Sequence, residues 1–460
     1  MGEHEREPPE PTALPALDGV PAAPASAAVA WSPSRVLALQ RTAGNRATTA
    51  MLARNGPDAG TGTVERPPGG VGDFMSLISE QRWEDAIRQL QGMSPADMTN
   101  QLHQMRRVDL ETLKDRAAAM GADFAGVRDA AEAARVRQLG LDWEAAVAGG
   151  SWQEAVTLVQ AYNDIDLPLK LDALTYEQIA ALCRQADRML PAFARTRQAA
   201  EPIRVRKLIA EYEAAVTAAN WARAAELLNA FNDTDLPTRV DALPVVGLEP
   251  MRTAAQAHIG GWGARVVHGL NRRMVSDEMQ RMSDPAAPTR AHWNSSGNDP
   301  TYTDFSGWAM AATQPPGRFT VTPGTVINCW EMVLYAAYRI GAIDWPWIHA
   351  AYMDASPDWY AGFARRLAPS GTRTYNKTTR QPAPRRGDIV LFNGVDHVAL
   401  ATGVQDAPGT PAARTHVWSF WVVPGGGTYG DPANVMDTTI EDLLPGCPPT
   451  CVVTFGNPPW

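Results

Sequence analysis

Through the middle of the chain, apolar residues return every three or four positions. From Trp152, for example, Trp152, Ala155, Val156 and Val159 fall on one side of a helix. This spacing runs from residue 71 to residue 257. A further helix is predicted over 329–340 from Met332, Val333, Ala336, Ala337 and Ile340, with Gly341 as its terminating residue. Beyond it the pattern shortens into strands. Ile389-Val390-Leu391-Phe392 and His397-Val398-Ala399-Leu400 flank Asn393-Gly394, a hairpin turn that Val395-Asp396 can lengthen. Before residue 70 no period is sustained. The pattern predicts a multidomain chain with an irregular start, an all-α middle and an α+β end.

The helical stretch repeats itself. Trp83, Trp152 and Trp221 stand 69 residues apart, and so do Phe74, Trp143 and Tyr212, and Ala86, Ala155 and Ala224. The second and third copies also share Asn163-Asp164-Ile165-Asp166-Leu167-Pro168 and Asn232-Asp233-Thr234-Asp235-Leu236-Pro237. Helix starts punctuate each copy. Ser94-Pro95 reads as an N-cap followed by proline at the first helical position, and Thr175-Tyr176-Glu177-Gln178 as a capping box. Residues 71–257 are therefore expected to form an array of three 69-residue units, each burying its face on its neighbours. The Asn-Asp turns lack the glycine hinge and distal glutamate of a calcium loop, so turn and cap duty is expected of them.

Residues 1–70 are rich in Pro, Ala, Gly and Glu and poor in aromatics, which predicts a disordered leader. Within it Val36, Leu37, Leu39 and Met51 line one side of a short helix over about 34–52, either a stray helix or a docking element. Residues 258–322, with Gly260-Gly261-Trp262-Gly263 and a basic helical stretch, are expected to connect the array to the last domain and form its entrance strap.

The chain has 460 residues, 45% hydrophobic and 20% charged, which suits two or three globular domains. A net charge of −9 argues against a nucleic-acid binder. The acidic start, Met1-Gly2-Glu3-His4-Glu5, is unlike a secretory signal, and no apolar run is long enough for a membrane span. Synthesis in the cytoplasm is expected. Of the four cysteines, Cys183 reads as core, and Cys447 and Cys451 as a small-loop disulfide or two thiols. No metal site and no cofactor is expected.

Cys329 carries the chemistry. Asn328 is read as the N-cap, so Cys329 takes the first helical position, where the dipole and free N–H groups stabilise a thiolate. His397 opens the second arm of the hairpin, where its imidazole can take and return a proton. Asp388, at the start of the first arm, is read as a turn and strand cap rather than a catalytic acid. Trp345, Trp347, Tyr352, Trp359 and Tyr360 either wall a groove or pack a core.

Asn328-Cys329-Trp330, together with Arg386-Gly387-Asp388-Ile389-Val390-Leu391-Phe392 leading to Asp396-His397-Val398-Ala399-Leu400, resembles the papain-like superfamily, and within it the NlpC-type and CHAP-type amidases and peptidases. The resemblance implies a papain-like α+β domain over 323–460, with Cys329 as nucleophile and His397 as base. It also implies a third polar residue on the next strand, Thr415-His416-Val417-Trp418-Ser419-Phe420-Trp421. An antiparallel return brings Ser419 beside His397; His416 is the alternative. Separately, Leu39-Gln40-Arg41-Thr42-Ala43-Gly44-Asn45-Arg46-Ala47 resembles a segment near the start of actinobacterial proteins associated with extracellular contractile injection systems. That resemblance implies a cargo effector or toxin, recruited to injection-particle components through the leader and exported without a signal peptide. The expected substrate is an amide in peptidoglycan or in protein. The alternative is a non-enzymatic structural or adaptor component of the particle, carrying a decayed hydrolase domain.

Overall fold

The computed structural model describes residues 71–294, 303–354, 359–410, 412–421 and 431–460. The leader over 1–70 and its helix over about 34–52 lie outside them. The chain divides into two compact units, residues 1–101 and 102–460. In the first, α1 (Val71–Ser79) packs against α2 (Trp83–Gln91), burying Phe74, Ala86, Ile87 and Leu90. Ser94 Oγ accepts the N–H of Asp97 at 3.2 Å and caps α3 (Pro95–Leu102).

The second unit begins with helices: α4 (Arg107–Met120), α5 (Ala125–Gly149), α6 (Trp152–Val159), α7 (Asp166–Asp172) and α8 (Tyr176–Arg188). Then come α9 (Ala194–Thr217), α10 (Trp221–Leu228), α11 (Asp235–Asp241), α12 (Val245–Gln256) and α13 (Gly263–Met282). The starts of α9 to α12 lie 69 residues after those of α5 to α8, and α13 starts 69 residues after α9. Trp143 meets Tyr162 edge-on in one core, and Tyr212 meets Phe231 edge-on in the next. The Asn turns have a local cause. Asn163 Oδ1 accepts the N–H groups of Ile165 and Asp166, and Asn232 Oδ1 those of Thr234 and Asp235, so each side chain closes the turn into a short helix.

Helix α13 belongs to two cores. Val266, Val267 and Leu270 pack among the preceding helices, while Val275, Met279 and Met282 enter the core around Cys329. The stretch expected to act as a connector thus supplies a core helix, a strand β1 (Arg290–Trp293) and a helix α14 (Asp304–Ala309). The reason is the second apolar stripe on α13, which the sheet domain covers.

Among the described residues the sheet has eight strands. After β1 come β2 (Val326–Ile327), β3 (Arg373–Thr374), β4 (Ile389–Phe392), β5 (His397–Asp406), β6 (Arg414–Trp421), β7 (Pro432–Thr439) and β8 (Val453–Gly456), in the order β2-β1-β7-β6-β5-β4-β8-β3. Among the described residues, only β1 and β2 pair in parallel. Alternation divides the side chains between two cores. Leu391, Val398, Leu400 and Phe420 pack with α15 (Cys329–Arg339) and α16 (Trp345–Asp354). Val390, Phe392, Ala399 and Val417 pack with α18 (Ile440–Leu443); the intervening helix, α17 (Trp359–Leu367), adds Phe363 to the first core. Among the described residues, no helix is long and apolar enough to cross a membrane.

Candidate active site

Cys329 is the first residue of α15, and the helix start is built by its neighbours. Asn328 Oδ1 accepts the N–H of Glu331 at 2.9 Å, and Glu331 Oε2 accepts the N–H of Asn328 at 3.0 Å. This reciprocal capping box fixes the entry angle of the helix and leaves the cysteine at the end of the dipole. α15 packs directly on β5, whose first residue is His397.

His397 reaches its place through a four-residue turn. Phe392 and His397 pair directly across the hairpin, Asn393 and Gly394 both take positive φ, and Asn393 Nδ2 donates to Asp396 Oδ2 at 3.1 Å. The turn therefore includes Val395 and Asp396. In the next strand Ser419 stands opposite Ala399, so it lies diagonal to His397 on the same side of the sheet. His397 Nε2 and Ser419 Oγ are 2.8 Å apart and buried. His397 Nδ1 is also buried and has no hydrogen-bond partner among the described residues. The Trp421 ring stands edge-on to the imidazole at 4.1 Å.

His416 lies elsewhere. Three residues before Ser419, it sits on the opposite side of β6. Its Nε2 is 2.9 Å from Asp406 and its Nδ1 3.2 Å from Asp437. These carboxylates raise the imidazole pKa, Asp406 contributing most. Strand alternation is what takes it away from His397.

The electrostatics differ from the expected thiolate. Cys329 is 3% exposed and His397 2%. Burial pushes the thiol up to about 12, although the N–H groups of Val398, Trp330 and Cys329 itself favour the thiolate. Burial also takes His397 down to about 3. Burial thus favours the neutral form of both groups, and no hydrogen bond joins the two side chains. The helix terminus is present, but desolvation outweighs it. The backbone of Val398, next to His397, is nonetheless the largest of the interactions favouring the thiolate.

A carboxyl absent from the sequence-derived site lies two residues from the cysteine. Glu331 is fully buried, and its Oε1 accepts from Tyr352 Oη at 2.6 Å and Thr303 Oγ1 at 2.8 Å. Burial raises it to about 7 despite these donors, and its charge pushes the Cys329 thiol up further. The signal was legible as Asn-x-x-Glu at a helix start; its partners were not. Tyr352 is thus a core residue bound to Glu331, while the side chains of Trp359 and Tyr360 lie outside the described residues. Asp388 is buried as well. Its Oδ2 accepts the N–H of Arg385 at 2.8 Å, a turn role, and its Oδ1 pairs with Arg272 of α13 at 2.7 Å.

The arrangement provides a buried cysteine at a helix start, an imidazole held by a hydroxyl, and a buried acid two residues from the cysteine. Cys447 and Cys451 are free thiols in this structure. Among the described residues no group of three or more acidic, histidine or cysteine side chains is placed to hold a metal ion. No protein-family model matches this sequence, and neither a curated protein nor a solved structure matches it.

Proposed function

We propose that the sheet domain is a papain-like cysteine hydrolase that cleaves an amide bond, and that the chain is a modular cargo effector or toxin. The observation that carries this reading is the orientation of His397. Ser419 engages Nε2 and leaves Nδ1 bare, beside a strand on which the helix of Cys329 packs. In the reaction, Nδ1 takes the thiol proton as sulfur attacks the carbonyl carbon. The same proton passes to the leaving amine when the C–N bond breaks, and water then releases the acyl group from sulfur. The tetrahedral oxyanion would be met by the backbone N–H of Cys329. Burial favours the neutral thiol and imidazole, so in this reading the proton moves during attack. Substrate entry must expose the pair, and hydrogen bonds absent from a free enzyme form at that stage. The substrate would be an amide of peptidoglycan or of protein, the latter in a backbone or a glutamine side chain. The 69-residue spacing of helix starts supports an array of repeated units that spaces or packs this domain.

A second reading has its own support. The burial of Cys329 and His397 and the missing bond between them suit a structural or adaptor component of an injection particle with an inactive hydrolase core. One experiment separates the two. The full chain, wild type and Cys329→Ala, is incubated with peptidoglycan sacculi and with a protein mixture, and products are read by mass spectrometry. Cleavage or deamidation by the wild type alone supports the enzyme. No product from either protein, with a Cys329 inert to iodoacetamide, supports the adaptor. The full chain is needed because truncation at residue 323 removes α13, α14 and β1 from the domain core.

A further inference from the structure

Away from Cys329, a cavity of about 250 Å³ opens where α11 and α13 meet the turn before β4. Its wall carries five arginines: Arg265, Arg272, Arg273, Arg385 and Arg386. The carboxylates around it account for four of them. Arg265 pairs with Asp233 at 2.7 Å and Arg272 with Asp388 at 2.7 Å, while Arg273 and Arg386 share Asp277. The guanidinium of Arg385 has no carboxylate within hydrogen-bonding or ion-pairing distance among the described residues; only its backbone N–H donates to one, Asp388. The guanidinium makes one long bond, 3.4 Å, from Nη1 to the carbonyl of Asp233. The only other carboxylate on the wall, Asp241, is pushed up by burial.

A second, independent feature points the same way. Arg272 is nine-tenths buried, and its Nε is a buried donor with no hydrogen-bond partner. A buried charged donor left unpaired is costly, and such groups are normally met by a partner. Arg272 lines the cavity beside the unpaired Arg385 guanidinium, while its Nε, without accessible surface, lies behind the wall. Guanidinium groups meet oxyanions through paired N–H groups, so the complement to the unpaired Arg385 is a compact oxyanion. The volume falls below the ~300–1,000 Å³ that encloses a drug-sized ligand, which fits a terminal group rather than a chain.

We infer that this cavity is an anion site that takes a phosphate or phosphate monoester group on Arg385 and Arg272. The site is separate from Cys329 and does not depend on the hydrolase reading. Its position is notable: Arg385 and Arg386 lead through Gly387 and Asp388 straight into β4, one hairpin arm before His397.

Isothermal titration of the full chain with inorganic phosphate, phenyl phosphate and sulfate, each against chloride at matched ionic strength, tests this. The expected result is saturable one-site binding of phosphate or its monoester. Arg385→Gln should weaken it about tenfold, the scale of one charge-assisted contact. Arg137→Gln, which removes an equal charge from an exposed position on α5, should leave it unchanged. Arg385→Lys, which keeps the charge and loses the fork, should fall between and serves if the glutamine variant does not fold. Heats that follow ionic strength alone, or phosphate binding that is the same in both Arg385 variants as in the wild type, would overturn the assignment. Tighter binding of phenyl phosphate than of inorganic phosphate would identify a monoester as the ligand; the reverse order would identify the free ion.

Discussion

At the scale of single residues, burial decides what the site does at rest. His397 titrates near 3 when folded, against 6.5 for a free imidazole. Between those values the unfolded chain holds a proton that the folded chain lacks, so its contribution is present above pH 6.5 and is lost as pH falls toward 3. Glu331 has the opposite sign. Its folded value near 7 lies above the ordinary 4.5, so its contribution is present below 4.5 and is lost as pH rises toward 7. The two slopes oppose each other where the windows overlap. In Glu331→Gln the His397 slope is no longer opposed by Glu331, and urea midpoints should drop more steeply with acidification than in the wild type; parallel curves would refute this account. If Cys329 is the nucleophile, Cys329→Ala and His397→Ala abolish turnover. Ser419→Ala should cost only about five- to tenfold, because it removes one neutral hydrogen bond worth about 1 kcal/mol. A steady-state comparison of the three variants checks the order.

At the scale of elements, the start of α15 is the critical feature. Asn328 and Glu331 cap it reciprocally, and Glu331 ties it to Thr303 and Tyr352. Replacing Asn328 by Ala should destabilise the fold by about 1 kcal/mol, the usual value of a lost cap. Glu331→Ala should cost more, since it leaves the Tyr352 hydroxyl buried without its acceptor; equal unfolding midpoints for the two variants would contradict this. Much of this element was legible beforehand. Asn before Cys gave the N-cap, Gly341 with its positive φ ends the helix, and Asn393-Gly394 gave the hairpin. What escaped was partnership. The capping-box spacing shows that Glu331 turns back to Asn328, but nothing in the spacing shows that Thr303 and Tyr352 converge on its other oxygen. Likewise the sequence locates a helix terminus beneath Cys329, whereas the desolvation that overrides it depends on the core that α15 shares with the sheet. Periodicity reports which face of a segment is apolar, and α13, with two apolar stretches facing two cores, is where that information is least sufficient.

At the scale of the whole second unit, α13 makes helices and sheet interdependent. Its Arg272 reaches Asp388 at 2.7 Å and the carbonyl of Arg386 at 2.9 Å, and both partners belong to the turn that launches β4. The contact is close enough that Gly387 has no room for a side chain: it takes φ +78°, and a Cβ there would stand 2.8 Å from the carbonyl oxygen of Arg272. Burial disfavours the charge on each member of the pair, so each depends on the other. Removing one partner leaves an uncompensated buried charge, which costs about 3–5 kcal/mol. Asp388→Ala should therefore destabilise the protein by that amount. Its effect should spread beyond β4, because the released Arg272 sits on a helix shared by two cores. Hydrogen exchange gives the discriminating readout. If α13 transmits the loss, protection should fall together in α12, α13 and β4–β5. Exchange that rises only around residues 385–392 would show that the helices and the sheet hold their structure separately, and the interdependence argued from α13 would fail.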